Sequence, residues 1–511
     1  MAIHSVMTDT LTHPNPADLP ALRVHHQDHV ATALRDLFAG ERIAIGGESI
    51  SLREPVARGH KLALRTAAPG DAILKYGFPI GRATRHIAVG EHVHSHNMHT
   101  ALLGQGRYDY HPEMAPPAPV AGHERSFRGY VRADGRVGTR NEVWVLPTVG
   151  CVARTAQRIA AAAGERHSGR IDGIHAFSHP FGCSQLGDDL DGTRSLLASL
   201  AAHPNAAGVL LVGLGCEENQ LDALLAELPP ERRSLVRSVS AQLAADELAE
   251  GLIAVDDLVD QAATARREDV SLSRLALGVK CGGSDGLSGL TANPLVGRVA
   301  DTVAGAGGRV LLTEIPEIFG AEQLLMNRAT SERVFEDVVG LVDRFKRYFL
   351  DQGQPVSENP SPGNVAGGIT TLEEKSLGAV QKGGRARVTD VLRYGERLRR
   401  DGLTLLEAPG NDAVSSTALS AAGATMILFT TGRGTPMGFP VPTIKIASNS
   451  ALAHRKPGWI DFDAGQALED GLDQTTDALI ERVCAVASGA ETAAERNGER
   501  EIAIWKRGVT L

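Results

Sequence analysis

The sequence predicts a multidomain α/β protein, and three observations carry that prediction. At 511 residues the chain exceeds what one hydrophobic core supports, so about two to four domains are expected. From about residue 128 onward, short apolar runs alternate with helix-patterned stretches, which is the rhythm of βαβ units. Upstream, brief apolar stretches are broken by glycine-centred turns, as in RIAIGGESISL and ALRTAAPGDAILKYG, and read as a small β-rich module.

In chain order, residues 1–20 are polar and proline-containing and are expected to form a mobile tail. The β module is expected over 21–105. A linker follows over 106–127, where Pro112, Pro116, Pro117 and Pro119 break any regular element. Over 128–270 the strand EVWVLPTV precedes the helix ARTAQRIAAAAG, GIHAFSH precedes LDGTRSLLASLAAH, and GVLLVGLG precedes QLDALLAEL. A charged helical stretch, AADELAEGLIAVDDLVDQAATARRED, closes this middle domain. A C-terminal α/β domain is expected over 271–511, with strands RVLLTEI, LTLLEA, ATMILFTT, PTIKIAS and WIDFDA.

Hydrophobic residues at 42% and charged residues at 22% are ordinary for a globular protein. The 56 glycines exceed the usual ~7% and suit an enzyme with many strand-to-helix turns. A net charge of −9 offers no basic field for nucleic acid. No apolar run approaches the ~18 residues that cross a bilayer, and no secretion signal is recognisable, so no membrane partner is expected. Five widely spaced cysteines without CxxC pairs argue for a reducing cytoplasm rather than a disulfide framework.

Four of those cysteines share one setting, an apolar run that ends in a glycine-rich loop. They are Cys151 in PTVGCVART, Cys183 in SHPFGCSQLGDD, Cys216 in VLLVGLGCEENQ and Cys281 in ALGVKCGGSDGLSG. Loops leaving the carboxyl ends of parallel strands converge on one face, where active sites form. The four thiols are therefore expected to line a single metal site, because thiolates are soft metal ligands.

The other chemistry-bearing segments surround that expectation. GEHVHSHNMH carries His92, His94, His96 and His99, and 11 of the 18 histidines precede residue 100. On a strand, His92, His94 and His96 would share a face, fit to hold a metal or to serve as acid–base groups, or merely to form a solvated edge. His179 lies four residues before Cys183, placed as a general base, a ligand or a loop cap. The glycine-rich loop with Ser284 and Asp285 can cradle an anion such as a carboxylate, or be only a tight turn. It lacks the spacing of a phosphate-binding P-loop, and VGLGCEEN lacks the third glycine of a dinucleotide fingerprint. Glu314, Glu317 and Glu322 follow a buried-looking strand as bases, cation ligands or simple helix-start acids. Arg136, Arg140 and Arg433 sit in glycine-flanked loops, where a guanidinium can grip a carboxylate.

These motifs, together with GHKLALR, KYGFPIG, GRVGTRNE, TEIPEIFGAEQLL, TTLEEKSLG and WIDFDAG, resemble the altronate/galactarate dehydratase family from about residue 25 to the terminal GVTL. GCSQLGDD, VLRYGERL and WIDFDAG resemble its altronate branch more closely. The resemblance implies an N-terminal SAF-type β-clip module, a middle domain tied to dimerisation and a C-terminal Rossmann-like parallel-sheet domain. It implies dehydration of D-altronate to 2-dehydro-3-deoxy-D-gluconate by a cytoplasmic homodimer acting on a small sugar acid. Iron(II) or manganese is the implied cofactor, with an iron–sulfur cluster left open as a variant. The family's cysteines fall at Cys151, Cys183, Cys216 and Cys281, and a family histidine falls at His179. Met437, Phe439 and Pro440 replace a smaller or more polar tract and bear on substrate preference.

Dehydrating a sugar acid means removing a proton beside a carboxylate and expelling the neighbouring hydroxyl, with the enediolate stabilised electrostatically. The expected catalytic set is His179, His94, His96 and Glu314. Arg140, Ser284, Asp285 and Arg433 are the expected substrate binders, and the four cysteines the expected metal ligands. Galactarate dehydration and a related sulfolactate lyase activity are the neighbouring alternatives. A cysteine-ligated iron redox protein is the alternative of another class.

Overall fold

A computed structural model of the chain describes residues 19–102, 106–113 and 125–511. The tail expected over 1–20 lies outside the described residues except for 19 and 20, and so does 114–124 of the expected linker. The described part 106–113 is pinned to the C-terminal half: Tyr108 Oη donates to Glu322 Oε1 at 2.6 Å, and Lys346 Nζ is 2.7 Å from the same oxygen.

The fold is the multidomain α/β class expected. Residues 21–99 form antiparallel sheets of four, three and two strands, short and joined at glycines with positive φ such as Gly59 and Gly70. The alternating burial of Arg42–Ile45 shows why these read as strands: Ile43 and Ile45 point inward while Arg42 and Ala44 face out. The histidine segment departs from the expected continuous strand. Only His92–Val93 and Met98–His99 are strands, because Asn97 folds the chain between them, its side chain accepting from the His94 amide and donating to His92 O.

A four-stranded parallel sheet follows, ordered Gly173–Ala176, Glu142–Pro147, Ala206–Gly213, Val236–Ser240. Glu142–Pro147 and Ala206–Gly213 are buried along their whole length, as strands covered on both faces must be. Helices Ala153–Arg166 and Glu247–Ala262 cover one face, and Gly187–Ala201 lies against the other.

The C-terminal half is built on seven parallel strands, ordered Val388–Leu392, Gly402–Leu406, Arg309–Leu312, Ala276–Cys281, Met426–Thr431, Thr443–Ala447, Phe462–Asp463. The chain winds one way from the central Ala276–Cys281 strand to Arg309–Leu312 and the other way through Met426–Thr431. Such a reversal opens a crevice outside the carboxyl ends of the strands.

The β module is docked on that crevice by buried charge. Lys61 and Lys75 of the module lie 2.8 and 2.9 Å from the two carboxylate oxygens of Glu374, all three side chains at most 2% exposed. One apolar cluster runs through the contact, uniting Ile80 and Val93 of the module with Leu287 and Leu372. No described helix is long and apolar enough to cross a membrane.

Candidate functional site

The crevice over the seven-stranded sheet gathers an unusual density of buried charge. Cys281 ends the central strand and is 2% exposed. Glu314 follows the adjacent strand by two residues and is held in the left-handed region at φ 65°, a conformation that costs about 1–3 kcal/mol for a residue with a side chain. That turn sends its carboxylate back over the strand end, where Oε2 accepts from the Cys281 amide at 2.9 Å. Glu317, three residues on, brings Oε2 to 3.4 Å from Cys281 Sγ. Among the described residues, Cys281, Glu314 and Glu317 are the trio of potential ligands whose donor atoms lie within 4.8 Å of one another.

Three lysines face this trio. Lys382 Nζ is 2.7 Å from Cys281 Sγ and 3.0 Å from Glu314 Oε2. Lys280 bridges Glu314 at 3.2 Å and Asp412 at 2.8 Å. Lys375 bonds Glu317 Oε1 at 2.8 Å and Asn359 Oδ1 at 2.9 Å. Burial pushes the Cys281 thiol up to about 12, with Glu314 adding to the rise and Lys382 opposing it. For Glu314, burial is outweighed by Lys280 and Lys382, which hold the carboxyl below its ordinary value. For Lys375, burial is outweighed by Glu317 and Cys281, which raise it. The thiol is thus neutral at pH 7, while Glu314 and the three ammonium groups are charged, a poised acid–base array.

Ser284 and Asp285 lie beside this cluster. With Cys281, Lys375 and Tyr76 they line a cavity of about 10 Å³, room for roughly one water molecule. Asp285 also ties the loop together, Oδ1 accepting from Ser448 Oγ at 2.8 Å and Oδ2 from Asn449 Nδ2 at 3.1 Å. Arg433 is exposed at the rim, donating to Gly363 O at 2.8 Å. Asn364, buried behind it, donates to Ser284 O at 2.8 Å.

The module's histidines stand on the far side of the segment 361–368. His94 Nε2 lies 3.1 Å from Val365 O, and His60 Nε2 lies 3.3 Å from Ala366 O. A nitrogen facing a carbonyl carries the proton, so in neutral His60 Nδ1 is an acceptor, and His92 Nε2 donates a hydrogen bond to it at 3.0 Å. Burial, then the neighbouring imidazoles, lowers His92 to about 3, so it stays neutral. His96 is exposed, its ring 5.5 Å from that of His92.

Three expectations are corrected. Arg140 is not at this site: its guanidinium pairs with Glu495 at 2.8 Å and bonds the carbonyls of Thr139, Val486 and Ala490, which uses it to lock the C-terminal helices. His179 offers no free nitrogen, because Nε2 bonds Pro147 O at 2.8 Å and Nδ1 accepts from the Phe181 amide at 3.2 Å. The four thiols do not share one pocket. Cys281 is buried under the seven-stranded sheet's crevice, whereas Cys151, Cys183 and Cys216 are exposed at the carboxyl ends of the four-stranded sheet. Glu322, the third acid of its segment, anchors Lys346 instead.

Sequence reasoning missed Lys375, Lys382, Asn359, Asn364 and His60. A usable signal existed for the lysines, which are seven residues apart across a helix and its short extension and so share a face two turns apart.

Comparison with known proteins covers the same ground. The SAF domain model of altronate/galactarate dehydratases matches residues 19–101. The second-domain model of D-galactarate dehydratase/altronate hydrolase matches 129–263, and the C-terminal model of D-galactarate/altronate dehydratase matches 272–510. Altronate dehydratase of Escherichia coli (strain K12) is 49% identical over 96% of this chain and 99% of its own length. Altronate dehydratase of Bacillus subtilis (strain 168) is 48% identical over the same shares. Galactarate dehydratase (L-threo-forming) of Escherichia coli is 33% identical over 92% of each chain.

Proposed function

The chain belongs to the altronate/galactarate dehydratase family of hydro-lyases, and from that premise we propose that its substrate is D-altronate. The carrying observation is the near full-length similarity to two altronate dehydratases at 49% and 48%, against 33% to a galactarate dehydratase. The product is then 2-dehydro-3-deoxy-D-gluconate, and the working form a cytoplasmic homodimer.

The crevice supplies what the reaction asks of a protein. Arg433 at the rim and the lysines behind it draw in the carboxylate of the acid. Glu317 accepts the C2 proton, since its Oε2 takes only the weak thiol bond of Cys281. Lys375, held charged between Glu317 and Asn359, gives a proton to the departing C3 hydroxyl. Lys382 and Lys280 stabilise the negative charge that develops on the carboxylate.

The cavity of about 10 Å³ is far smaller than a six-carbon acid, so the wall that Tyr76 of the β module and Ile369 form must part to admit it. His60 and His94 bond the carbonyls of Ala366 and Val365, in the segment that leads into Ile369.

The donor set fits a divalent iron or manganese ion. Cys281 Sγ is a soft donor and the Glu314 carboxylate a hard one, with Glu317 close by but kept for the substrate proton. Buried Glu314 Oε1 has Lys280 within 3.2 Å but makes no well-directed hydrogen bond, leaving a lone pair free. When bound there, the ion would act as a Lewis acid on the substrate carboxylate.

The test is keto-acid formation from D-altronate, galactarate, D-galactonate and sulfolactate, run side by side. Altronate should give the highest kcat/KM. A higher value for galactarate would move the chain to the other branch of the family.

A further inference from the structure

We propose that Tyr76, carried into the crevice by the β module, is a further catalytic residue. Its phenol gives C3 the proton that turns the dehydrated enol into the keto acid. This rests on the dehydration proposed above, but not on altronate being the acid.

Tyr76 occupies a turn that disfavours a tyrosine. Strands Ala72–Lys75 and Phe78–Ala83 pair with Lys75 opposite Phe78, which leaves Tyr76 and Gly77 as a two-residue turn. Both have positive φ, 60° and 78°, the hairpin turn that selects glycine, asparagine or aspartate. The module contains the same turn a second time. Between Arg42–Ile45 and Glu48–Ser51 it is Gly46–Gly47, with φ of 57° and 84°, and there it faces open space. Glycine serves where the turn meets solvent, and a strained tyrosine where it meets the crevice. Strain kept in one of two like turns points to a function for the side chain.

The surroundings hold that side chain in place. Asp28, fully buried, accepts from the amides of Tyr76 at 3.1 Å, Gly77 at 2.8 Å and His25 at 2.9 Å, which fixes the turn. Gly289 of the C-terminal half leaves room for the phenol, since a Cβ there would lie 2.2 Å from Tyr76 Oη. Gly378 of the helix Leu372–Ala379 flanks the same slot, where a Cβ would sit 4.0 Å from that oxygen. So placed, Tyr76 is buried and lines one cavity with Cys281, Ser284 and Lys375.

The reaction leaves a task for such a group. Loss of the C2 proton and the C3 hydroxyl gives an enol, and C3 must still gain a proton. By then Glu317 has taken up the C2 proton and Lys375 has given its own to the leaving water. Burial raises the phenol above its ordinary value, with Lys75 opposing the rise, so it is protonated at pH 7. In the step the phenolic O–H bond breaks and a C3–H bond forms, while the enol O–H bond breaks as the C2 carbonyl forms. The enol proton restores the phenol, and no co-reactant is consumed. Lys75, its Nζ 5.0 Å from the ring centroid, faces the transient phenolate.

The full-length protein would turn over the acid in D2O, with proton NMR of the new methylene recorded before the product exchanges. The acid is whichever of the four compared above yields keto acid. Failure with altronate then strikes that reading, while another acid still tests Tyr76. Wild type should carry deuterium in one of the two methylene positions only. Tyr76→Phe, which keeps the ring in its slot, should label both equally, because the enol then ketonises in solution. Tyr76→Gly, the residue of the sister turn, should do the same, and it decides the matter if the phenylalanine variant folds poorly. A single labelled position from a folded variant, or a mixture from the wild type, would overturn the proposal.

Discussion

Lys382 Nζ lies 2.7 Å from Cys281 Sγ, the two meeting from a helical extension and a strand end that are 101 residues apart in sequence. The ammonium also holds Glu314 at 3.0 Å, so one cation is shared by a thiol and a carboxylate, all fully buried. Replacing it leaves a carboxylate with one ammonium fewer in a dry site. Lys382→Met is expected to cost about 3–5 kcal/mol of stability, read as a shift in the urea midpoint. An unchanged midpoint would mean that water reaches the cluster freely.

The same burial separates the thiols by reactivity. Cys281 is buried with its thiol pushed up to about 12, whereas Cys151, Cys183 and Cys216 are exposed. Native, metal-free protein at pH 8 should show those three reacting fast with a disulfide reagent, Cys484 more slowly and Cys281 only on unfolding. Peptide mapping of the labelled sites checks the order.

Glu374 is the carboxylate on which Lys61 and Lys75 of the β module both close. Glu374→Gln strands two buried ammonium groups and should destabilise the docked module by about 3–5 kcal/mol. Limited proteolysis should then cut within residues 19–102 at a protease level the wild type resists.

His179 holds two backbone groups rather than a substrate proton. His179→Ala should therefore lower stability by about 1–3 kcal/mol, the cost of buried groups left unpaired. The pH–rate profile of the remaining activity should keep its shape. A lost acid limb would restore the general-base role.

His203 links the two parallel-sheet regions, its Nε2 3.1 Å from Ala424 O and its ring stacked on Trp144. Burial lowers it to about 3 against an ordinary 6.5. The unfolded chain therefore takes up the proton first. The contribution of this neutral imidazole is complete above pH 6.5 and falls by up to about 1.4 kcal/mol per unit as pH drops toward 3. His203→Gln should flatten the acid side of the melting-temperature curve, and an equally steep curve would assign the acid sensitivity elsewhere.

Much of the fold was legible because its determinants are local. EVWVLPTV, RVLLTEI and ATMILFTT are apolar runs too short for helices and bounded by turns, and each became a buried parallel strand. The pairing of Cys281 with Glu314 was half legible, since both residues follow such runs. That their strands are neighbours is a tertiary fact. Nothing local said which of two parallel sheets each cysteine would join, and the expectation of one four-thiol site failed there. The histidine segment failed for a different reason: Asn97 satisfies the backbone of a turn, which outweighed the period-two pattern. Arg140 misled because a glycine-flanked arginine looks alike in sequence whether it meets a ligand or, as here, three carbonyls and Glu495.

The claim on which the rest depends is that Glu317, beside a neutral thiol in the crevice of the seven-stranded sheet, receives the substrate's C2 proton. Single-turnover formation of the keto acid by Glu317→Gln tests it, with altronate affinity measured in parallel. The rate should fall by about 10²–10⁴ while the Kd changes little. A wild-type rate in that variant would place the chemistry elsewhere in the molecule.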